Sequence, residues 1–337
     1  MSEDNQNKNE TCEVSCTEEL TPDIIRMREI EAAIIEKEES SKEEKEEKKE
    51  LSDSKFVEYF EKKVRNTIRK YELFDKKSKV LIAVSGGKDS TVCAYLLKKL
   101  GYNVEALTID AVIGCYTKEN LKNIKRVCEK YDIKLNVLSF REQFGMSLCY
   151  IRSILLEKGR RHSSCMICGI LKRYLLNKFA SENKFEYLAT GHNLDDEAQA
   201  FIMNVFRNDF KLAKRQGAKP GNVTSDKFVT RVKPLYLMSE EEIIRYSKIM
   251  EFPVYYGICP CSVDAYRREY KVMLDEFEKR HPNVKYNILK FQEQMKASLI
   301  KEEGVKVGSC ENCGEPSAGT MCKACQIFDD LRNAKKE

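Results

Sequence analysis

The sequence predicts an α/β fold: a doubly wound parallel sheet, followed by a C-terminal zinc-ribbon-like module. Three features predict it. Strand-like and helical segments alternate along the middle of the chain, a glycine-rich turn joins the first strand to a helix, and paired cysteines lie near the C-terminus. Parallel sheets of this kind bind ligands at the carboxyl ends of their strands, so the functional site is expected at that edge.

The first predicted element after residue 52 is a basic helix over 56–71, because apolar residues recur there at steps of three and four. Four strands follow, predicted at 80–84, 104–109, 135–138 and 187–190. Helices are predicted at 91–100, 118–131, 166–181, 264–280 and 284–301. Ser239 followed by three glutamates predicts one more helix start.

The charge distribution divides the chain. Residues 1–52 carry 17 Asp/Glu and 8 Lys/Arg, whereas the remaining residues carry 37 and 51. A run at 36–50 has no apolar residue, so 1–52 is predicted to be a disordered extension or a solvated helix. The rest is predicted to comprise a catalytic domain (53–270), a helical extension (271–303) and a four-cysteine zinc module (304–337). Its excess of positive charge would attract a polyanion.

Cysteine usage and hydropathy limit the classes of protein to which this chain can belong. No run of about 18 uncharged apolar residues appears and the N-terminus is polar, so a cytoplasmic protein without a membrane span is expected. Fourteen cysteines in such a chain favour metal and thiol chemistry over disulfides. Four stand singly and are expected to be buried as small apolar side chains: Cys93, Cys115, Cys128 and Cys149.

A pyrophosphate-binding loop is predicted between the first strand and its helix. Its glycines let backbone N–H groups converge on a phosphate, and the helix N-terminus adds partial positive charge. The predicted nucleotide-binding residues are Ser85, Gly86, Gly87, Lys88, Asp89 and Ser90. The loop is not GxxxxGK[ST], so cleavage at the γ-phosphate is not expected. Asp110, at the end of the next strand, is a candidate for contact with the nucleoside.

Two groups of cysteines predict metal sites. Cys165 and Cys168 open a basic helix, where thiolates can share one metal ion or cluster; a redox pair is the alternative. Cys259 is a third ligand only if the fold brings it close. Near the C-terminus, two CxxC pairs predict a closed tetrahedral zinc site without an open position. Its ligands are Cys310, Cys313, Cys322 and Cys325.

Five motifs occur in order along the chain: SGGKDS at 85–90, CMICGILKRYLLN at 165–177, TGHNLDDEA at 190–198, CP at 259–260 and CxxC(x8)CxxC at 310–325. Together they resemble the TtuA-type, cytoplasmic tRNA 2-thiolation family, whose PP-loop domain belongs to the ATP pyrophosphatase superfamily. The resemblance covers 56–331. It implies a tRNA-uridine 2-sulfurtransferase that uses ATP and Mg²⁺ to adenylate the C2 oxygen of a uridine and then replaces that oxygen with sulfur.

The resemblance also implies site residues. Cys165, Cys168 and Cys259 would hold a [4Fe–4S] cluster whose fourth iron has no protein ligand and can bind sulfide. Lys172 would stabilise phosphate charge, and Gly191 would lie at the nucleotide. Asp195 and Asp196 would bind Mg²⁺ or transfer protons, although the same pair also fits a helix N-terminus, where acidic groups complement the dipole.

The implied partners are tRNA, a sulfur donor (sulfide or a ubiquitin-like sulfur-carrier protein) and a second copy of the chain. The target is uridine 34, placed first, or uridine 54.

The sequence departs from the family pattern at two places, and each departure leads to an expectation. Cys12 and Cys16 lack a second pair nearby, so no N-terminal zinc site is expected. Cys261 stands where the family usually has Tyr, and a bystander role is favoured over that of a spare ligand or sulfur relay.

His192 is expected to be structural or close to the nucleotide rather than a metal ligand. Basic residues that flank the site are candidates for contacts with the RNA backbone. They are Arg160, Arg161, His162, Lys211, Lys214, Arg215, Lys219, Arg267 and Arg268.

Three alternative functions stay open: a persulfide-type sulfurtransferase using the same cysteines, a PP-loop ligase or amidotransferase acting on a small molecule, and a non-catalytic tRNA-binding subunit.

Overall fold

The helices and strands alternate as the sequence predicts. In chain order they are α1 (Asp53–Lys70), β1 (Val80–Ala83), α2 (Lys88–Lys99), β2 (Val104–Asp110), α3 (Gly114–Lys130), β3 (Leu135–Ser139), α4 (Phe140–Phe144), α5 (Leu148–Glu157), α6 (Ser164–Glu182), β4 (Tyr187–Thr190), α7 (Leu194–Phe206), α8 (Phe210–Arg215), β5 (Val223–Thr224), β6 (Thr230–Val232), α9 (Glu240–Ile249), a 3-10 turn (Pro260–Ser262), α10 (Arg267–Arg280), α11 (Val284–Ser298), β7 (Val305–Lys306), β8 (Gly308–Ser309), β9 (Pro316–Ser317) and α12 (Lys323–Arg332).

The computed structural model describes residues 51–220, 223–224, 227–257, 259–262, 266–298, 305–306 and 308–333. The chain divides into two units between Ser52 and Asp53, and the helices and strands named above all belong to the second. Cys12 and Cys16, with the expectation attached to them, lie outside the described residues. So do residues 263–265 and 299–304, where the predicted start of one helix and end of another fall.

The main sheet has the order β3-β2-β1-β4-β6, and every neighbouring pair in it is parallel. The chain builds outward from β1 through β2 and β3, then returns to the other side of β1 to add β4. This reversal opens a crevice at the carboxyl ends of β1 and β4. The predicted doubly wound fold is confirmed. Strand β6 was not predicted, because three residues are too few to show a period.

Both faces of the sheet are covered. Val80 and Ile82 of β1 belong to one buried cluster, with α1, α2 and α9, whereas Leu81 between them belongs to a second cluster, with α5, α6 and the tail. This alternation is the two-residue period of a strand. Helices α10 and α11 pack against α7, and α12 packs against α5 and α6. None of the described helices is long and apolar enough to cross a membrane.

The single cysteines fall into two classes. Cys93 and Cys128 are buried in the first cluster, as expected. For Cys115 and Cys149 the expectation is wrong, since both are exposed. Each is the second residue of its helix, Cys115 in α3 and Cys149 in α5. Both side chains are therefore exposed at the start of a helix, outside the face that packs on the core.

Candidate active site

The SGGKDS loop leaves β1 and enters α2 within the crevice. Gly86 has φ +82°, and a Cβ there would lie 2.4 Å from the backbone oxygen of Asn120 on α3. Only glycine fits this position. Gly87 caps α2 without a side-chain hydrogen bond, while the Ser85 amide donates to Ser90 Oγ at 3.1 Å. The first amides of α2 are therefore placed to receive an anion.

Lys88 is held beside the loop by carboxylates. Its Nζ lies 2.8 Å from Glu240 Oε1 and 3.2 Å from Asp89 Oδ2. Burial raises the pKa of Glu240, but hydrogen bonds from Lys271 and Lys88 outweigh burial and lower it to about 2. Glu240 therefore stays ionised and positions Lys88. This role was not predicted from the sequence, because the three glutamates after Ser239 signalled only a helix start.

The end of β4 packs directly on the loop. A Cβ at Gly191 would lie 2.8 Å from the amide nitrogen of Ser90, so a larger residue would displace the loop. Asn193 Nδ2 donates to Asp89 Oδ1 at 3.0 Å. His192 Nδ1 lies 2.8 Å from Thr190 Oγ1, and His192 belongs to no metal-ligand group within the described residues. Gly191 thus permits the close approach that assembles the crevice.

Asp195 is buried, and its carboxylate oxygens accept hydrogen bonds from other residues of the protein. Its carboxylate accepts hydrogen bonds from Lys285 Nζ at 2.5 Å and from the Glu240 amide at 2.7 Å. These contacts join the start of α7 to α9 and α11. The predicted Mg²⁺ or proton-transfer role stays a prediction, while the geometry shows a carboxylate that links three helices.

Asp196 completes the N-terminus of α7. It forms a capping box with Asn193, and its Oδ1 accepts from Arg267 at 2.8 Å. Asp110 Oδ1 accepts from the Val112 amide at 2.7 Å, which stabilises a turn in which Val112 has φ +55°. Both aspartates border the crevice, and their predicted ligand contacts stay predictions.

The fold brings Cys259 next to the CxxC pair. Helix α6 begins after Ser163, whose side chain caps it by accepting from the Met166 amide. Cys165 Sγ lies 3.6 Å from the carbonyl oxygen of Cys261, in the 3-10 turn that follows Cys259. Burial and then the charge of Cys259 raise the pKa of Cys165. A segment far along the chain therefore supplies a third thiol.

Cationic side chains face this thiol group. Burial raises the pKa of Cys168, while the charges of Lys172 and Arg173 oppose that rise and the charges of Cys259 and Cys165 add to it. Lys172 follows Cys168 by four residues, which is about one turn of α6. Lys172 therefore interacts electrostatically with Cys168 and partly offsets the rise of its pKa.

Helix α3 connects the loop to the cysteines. Asn120, which abuts Gly86, donates from Nδ2 to the Tyr116 carbonyl oxygen at 2.9 Å. Burial and the neighbouring charge of Cys259 raise the pKa of Tyr116, with a smaller contribution from Cys168. Residues 116 and 120 are separated by about 6 Å along the helix. Helix α3 thus contacts the phosphate loop at one residue and lies near the cysteine group at another.

Cys261 touches the group without joining the CxxC pair. Burial is the main cause that raises its pKa to about 11, and interactions with Cys259 and Cys149 raise it further. The bystander role of Cys261 stays a prediction. The approach of Cys149 to Cys261 was not predicted from the sequence, because the two residues lie on separate elements.

The tail cysteines form a closed group. The sulfur atoms of Cys310, Cys313, Cys322 and Cys325 all lie within 4.8 Å of one another, and Cys313 and Cys322 are 3.8 Å apart. Zinc–sulfur bonds of about 2.3 Å in a tetrahedron place sulfurs about 3.8 Å apart. The donor set therefore fits zinc. The active-site cysteines form no such tight group within the described part of the chain.

Comparison with known proteins agrees with this geometry. A PP-loop domain model matches residues 56–254. The tRNA-5-methyluridine(54) 2-sulfurtransferase of Pyrococcus horikoshii is 36% identical over 282 residues, 82% of this chain and 87% of that protein. Cytoplasmic tRNA 2-thiolation protein 1 of Aspergillus niger is 32% identical over 283 residues, 82% of this chain and 81% of that protein.

A solved structure, the U34-tRNA thiolase NcsA from Methanococcus maripaludis with its [4Fe-4S] cluster, has 31% identity and a TM-score of 0.71. The match covers 83% of this chain and 90% of that one. Fold, loop and cysteine placement therefore lead to one assignment: the chain belongs to the PP-loop family of tRNA 2-thiolation proteins.

Proposed function

We propose that this protein is an ATP-dependent tRNA thiolase that converts a uridine to 2-thiouridine. The carrying observation is that one helix, α3, abuts the phosphate loop through Asn120 and interacts electrostatically with Cys259 and Cys168 through Tyr116. An enzyme that activates an oxygen with ATP and then replaces it with sulfur needs both sites around one base.

The chain's residues divide the work. The amides of the loop and of α2 bind the phosphates of ATP, and Lys88 exchanges its contact with Asp89 for phosphate oxygens. The uridine C2 oxygen attacks the α-phosphorus, a P–O bond breaks, and pyrophosphate leaves. Sulfide then attacks C2, and AMP departs with the former C2 oxygen. Ser85, Ser90, Asp110 and Gly191 complete the proposed nucleotide site, and Asp195 and Asp196 are proposed to bind Mg²⁺ or to transfer protons.

The cysteine group fits a cluster with an open position. Cys165, Cys168 and Cys259 come from two segments and are not gathered as tightly as the tail thiols. Cys165 is exposed, so one side of the group is open to substrate. When bound, a [4Fe–4S] cluster would supply an iron without a protein ligand, where sulfide can bind as a nucleophile. Lys172 is proposed to stabilise negative charge next to Cys168.

The finer assignments belong to the same proposal. Uridine 54 is placed first, because the Pyrococcus horikoshii relative named for it is 36% identical, and uridine 34 second, because the NcsA thiolase named for it is 31% identical. This reverses the order expected from sequence. A cytoplasmic location follows the name of the Aspergillus niger relative. Sulfide or a ubiquitin-like carrier as donor, and a homodimer, are proposed from the resemblance.

The test uses protein purified without oxygen, ATP, inorganic sulfide and unmodified tRNA transcripts. We expect one AMP released per 2-thiouridine formed, with product lost when U54 is changed to C and kept when U34 is changed. Product with iron-free protein and a persulfide donor would establish the persulfide alternative. AMP formation without any tRNA would instead indicate a small-molecule ligase. A chain that binds tRNA but consumes no ATP would be a non-catalytic subunit.

A further inference from the structure

A cavity of about 510 Å³ lies between the cysteine helix α6, the segment that contains β6, and the C-terminal zinc module. It is separate from the phosphate loop. Its charged and aromatic lining consists of Arg173, Tyr174, Phe228, Arg231, Glu315 and Lys323. The size is that of a ligand pocket, and three of its four charged residues are cationic.

Arg173 is reachable from solvent, although many protein atoms surround it. Its guanidinium folds back over α6, because Nη1 lies 3.0 Å from where a Cβ on Gly169 would stand. Burial lowers the pKa of Arg173, and the neighbouring thiol of Cys168 partly restores it. Within the described residues no hydrogen bond or ion pair engages this guanidinium. It therefore lies beside the thiols with its donors available.

Arg231 presents the second guanidinium from the edge strand β6. Its charge lies over the ring of Phe228 at 5.8 Å, and no carboxylate of the described chain pairs with it. Burial and then the charge of Arg173 lower the pKa of Arg231 to about 10. A guanidinium group is charged at neutral pH. Two like charges held together in a concave surface are unfavourable unless an anion lies between them.

The acidic residue of the cavity does not supply that anion. Glu315 accepts from Asn177 Nδ2 at 3.2 Å and makes no ion pair with either arginine in the described structure. Two of the basic residues predicted to contact RNA are paired: Arg160 with Asp330 at 3.0 Å, and Arg267 with Asp196 at 2.8 Å. The cavity arginines differ from these two in having no carboxylate partner in the described chain.

We propose that this cavity binds a phosphodiester group of the RNA substrate, on Arg173 and Arg231. Guanidinium groups bind phosphate through paired hydrogen bonds. The cavity is also lined by Tyr174 and Phe228, and aromatic side chains are common partners of unpaired bases in RNA recognition. The excess of 51 Lys/Arg over 37 Asp/Glu beyond residue 52 favours a polyanion over an isolated carboxylate. The inference rests on the proposed function, because tRNA is the substrate there.

The experiment measures binding of an unmodified tRNA transcript by fluorescence anisotropy over a range of salt concentrations, for the full chain and three variants. Arg173→Gln and Arg231→Gln should each weaken binding several-fold and reduce the slope of log K against log salt by about one. Arg126→Gln is the matched control, since Arg126 is an exposed arginine on α3 outside the cavity. It should leave the slope within error of wild type.

Thermal melting, zinc content and ATP binding should be unchanged in all variants, and iron content should be unchanged in Arg231→Gln and Arg126→Gln. Arg173 lies beside Cys168, so Arg173→Gln is compared with wild type at equal iron content. If Arg231→Gln fails to fold, Arg231→Lys replaces it. The salt dependence of binding should then match that of wild type because the charge is kept, whereas the affinity for tRNA should fall because the bidentate contact is lost. A wild-type slope in both cavity variants would overturn the proposal, as would an equal loss in Arg126→Gln.

A second arm separates RNA from a free anion. Inorganic phosphate and pyrophosphate are titrated into wild type and Arg173→Gln by calorimetry. Loss of pyrophosphate binding with tRNA affinity and slope intact would make the cavity a free-anion site and overturn the RNA assignment. If the variants lose tRNA affinity as expected but wild type makes no 2-thiouridine, the thiolase proposal fails while the cavity assignment stands.

Discussion

Two groups of cysteines in this protein differ in how tightly their sulfur atoms are gathered and in how far apart they lie in the sequence. The tail places four sulfur atoms within 4.8 Å of one another, three of the four cysteines being buried. The active site places Cys165, Cys168 and Cys259 on two distant segments, with Cys165 exposed. Four protein ligands complete the coordination of one zinc ion, whereas three ligands leave an iron of a cluster accessible.

The difference shows how one residue type serves two purposes. In the tail the CxxC turns are close in sequence, so local geometry forms the site and the metal stabilises a small module. In the active site the proposed third ligand, Cys259, is brought close to Cys165 and Cys168 by the tertiary fold. An open site is useful only where a substrate can reach it, and Cys165 is exposed.

The largest expected effect comes from the open site. Cys165→Ala, Cys168→Ala and Cys259→Ala should each remove iron and lower 2-thiouridine formation more than about 100-fold, since even indirect partners of a metal site are worth 10–100-fold. Zinc should stay at one per chain. Metal analysis of anaerobically purified protein checks this, and iron retained in any of the three variants would remove that cysteine from the ligand set.

The closed site should show a smaller and different effect. Cys310→Ser should release zinc, keep iron, and lower the melting temperature by several degrees, because about 1 kcal/mol shifts a domain of this size by roughly 2–4 °C. Activity should fall roughly tenfold, since α12 packs against α6, which carries two of the active-site cysteines. Calorimetry with zinc and iron analysis tests it; simultaneous loss of both metals would show that the sites are not independent.

The smallest effect is expected at Cys261. Its thiol hydrogen-bonds to neighbouring cysteines, so Cys261→Ala should change the unfolding free energy by about 1 kcal/mol or less. Iron content and thiolation rate should match wild type. The paired comparison is Cys259→Ala, two residues earlier. Iron loss of similar extent in both variants would make Cys261 a ligand and break the contrast between three and four thiols.

The elements of the fold followed largely from the sequence. Alternating periods gave the strands β1 to β4 and the helices between them, because each is long enough to show a buried face. Strand β6 was too short for that signal. The exposure of Cys115 and Cys149 was mispredicted, because a single cysteine in the sequence does not show which face of its helix it lies on. The ion pair between Glu240 and Lys88 left no pattern, since its partners are far apart in the chain.

The sequence by itself determined the chemistry available: a glycine loop that can cradle phosphate, two CxxC pairs that can close on zinc, and a third CxxC beside basic residues. These depend on groups only a few residues apart, so local spacing specifies them. Only the tertiary structure decided that Cys259 joins Cys165 and Cys168, that α3 spans the distance to the loop, and that Arg173 meets Arg231 in one cavity. Such contacts arise from packing between distant segments, where sequence separation carries no information about distance.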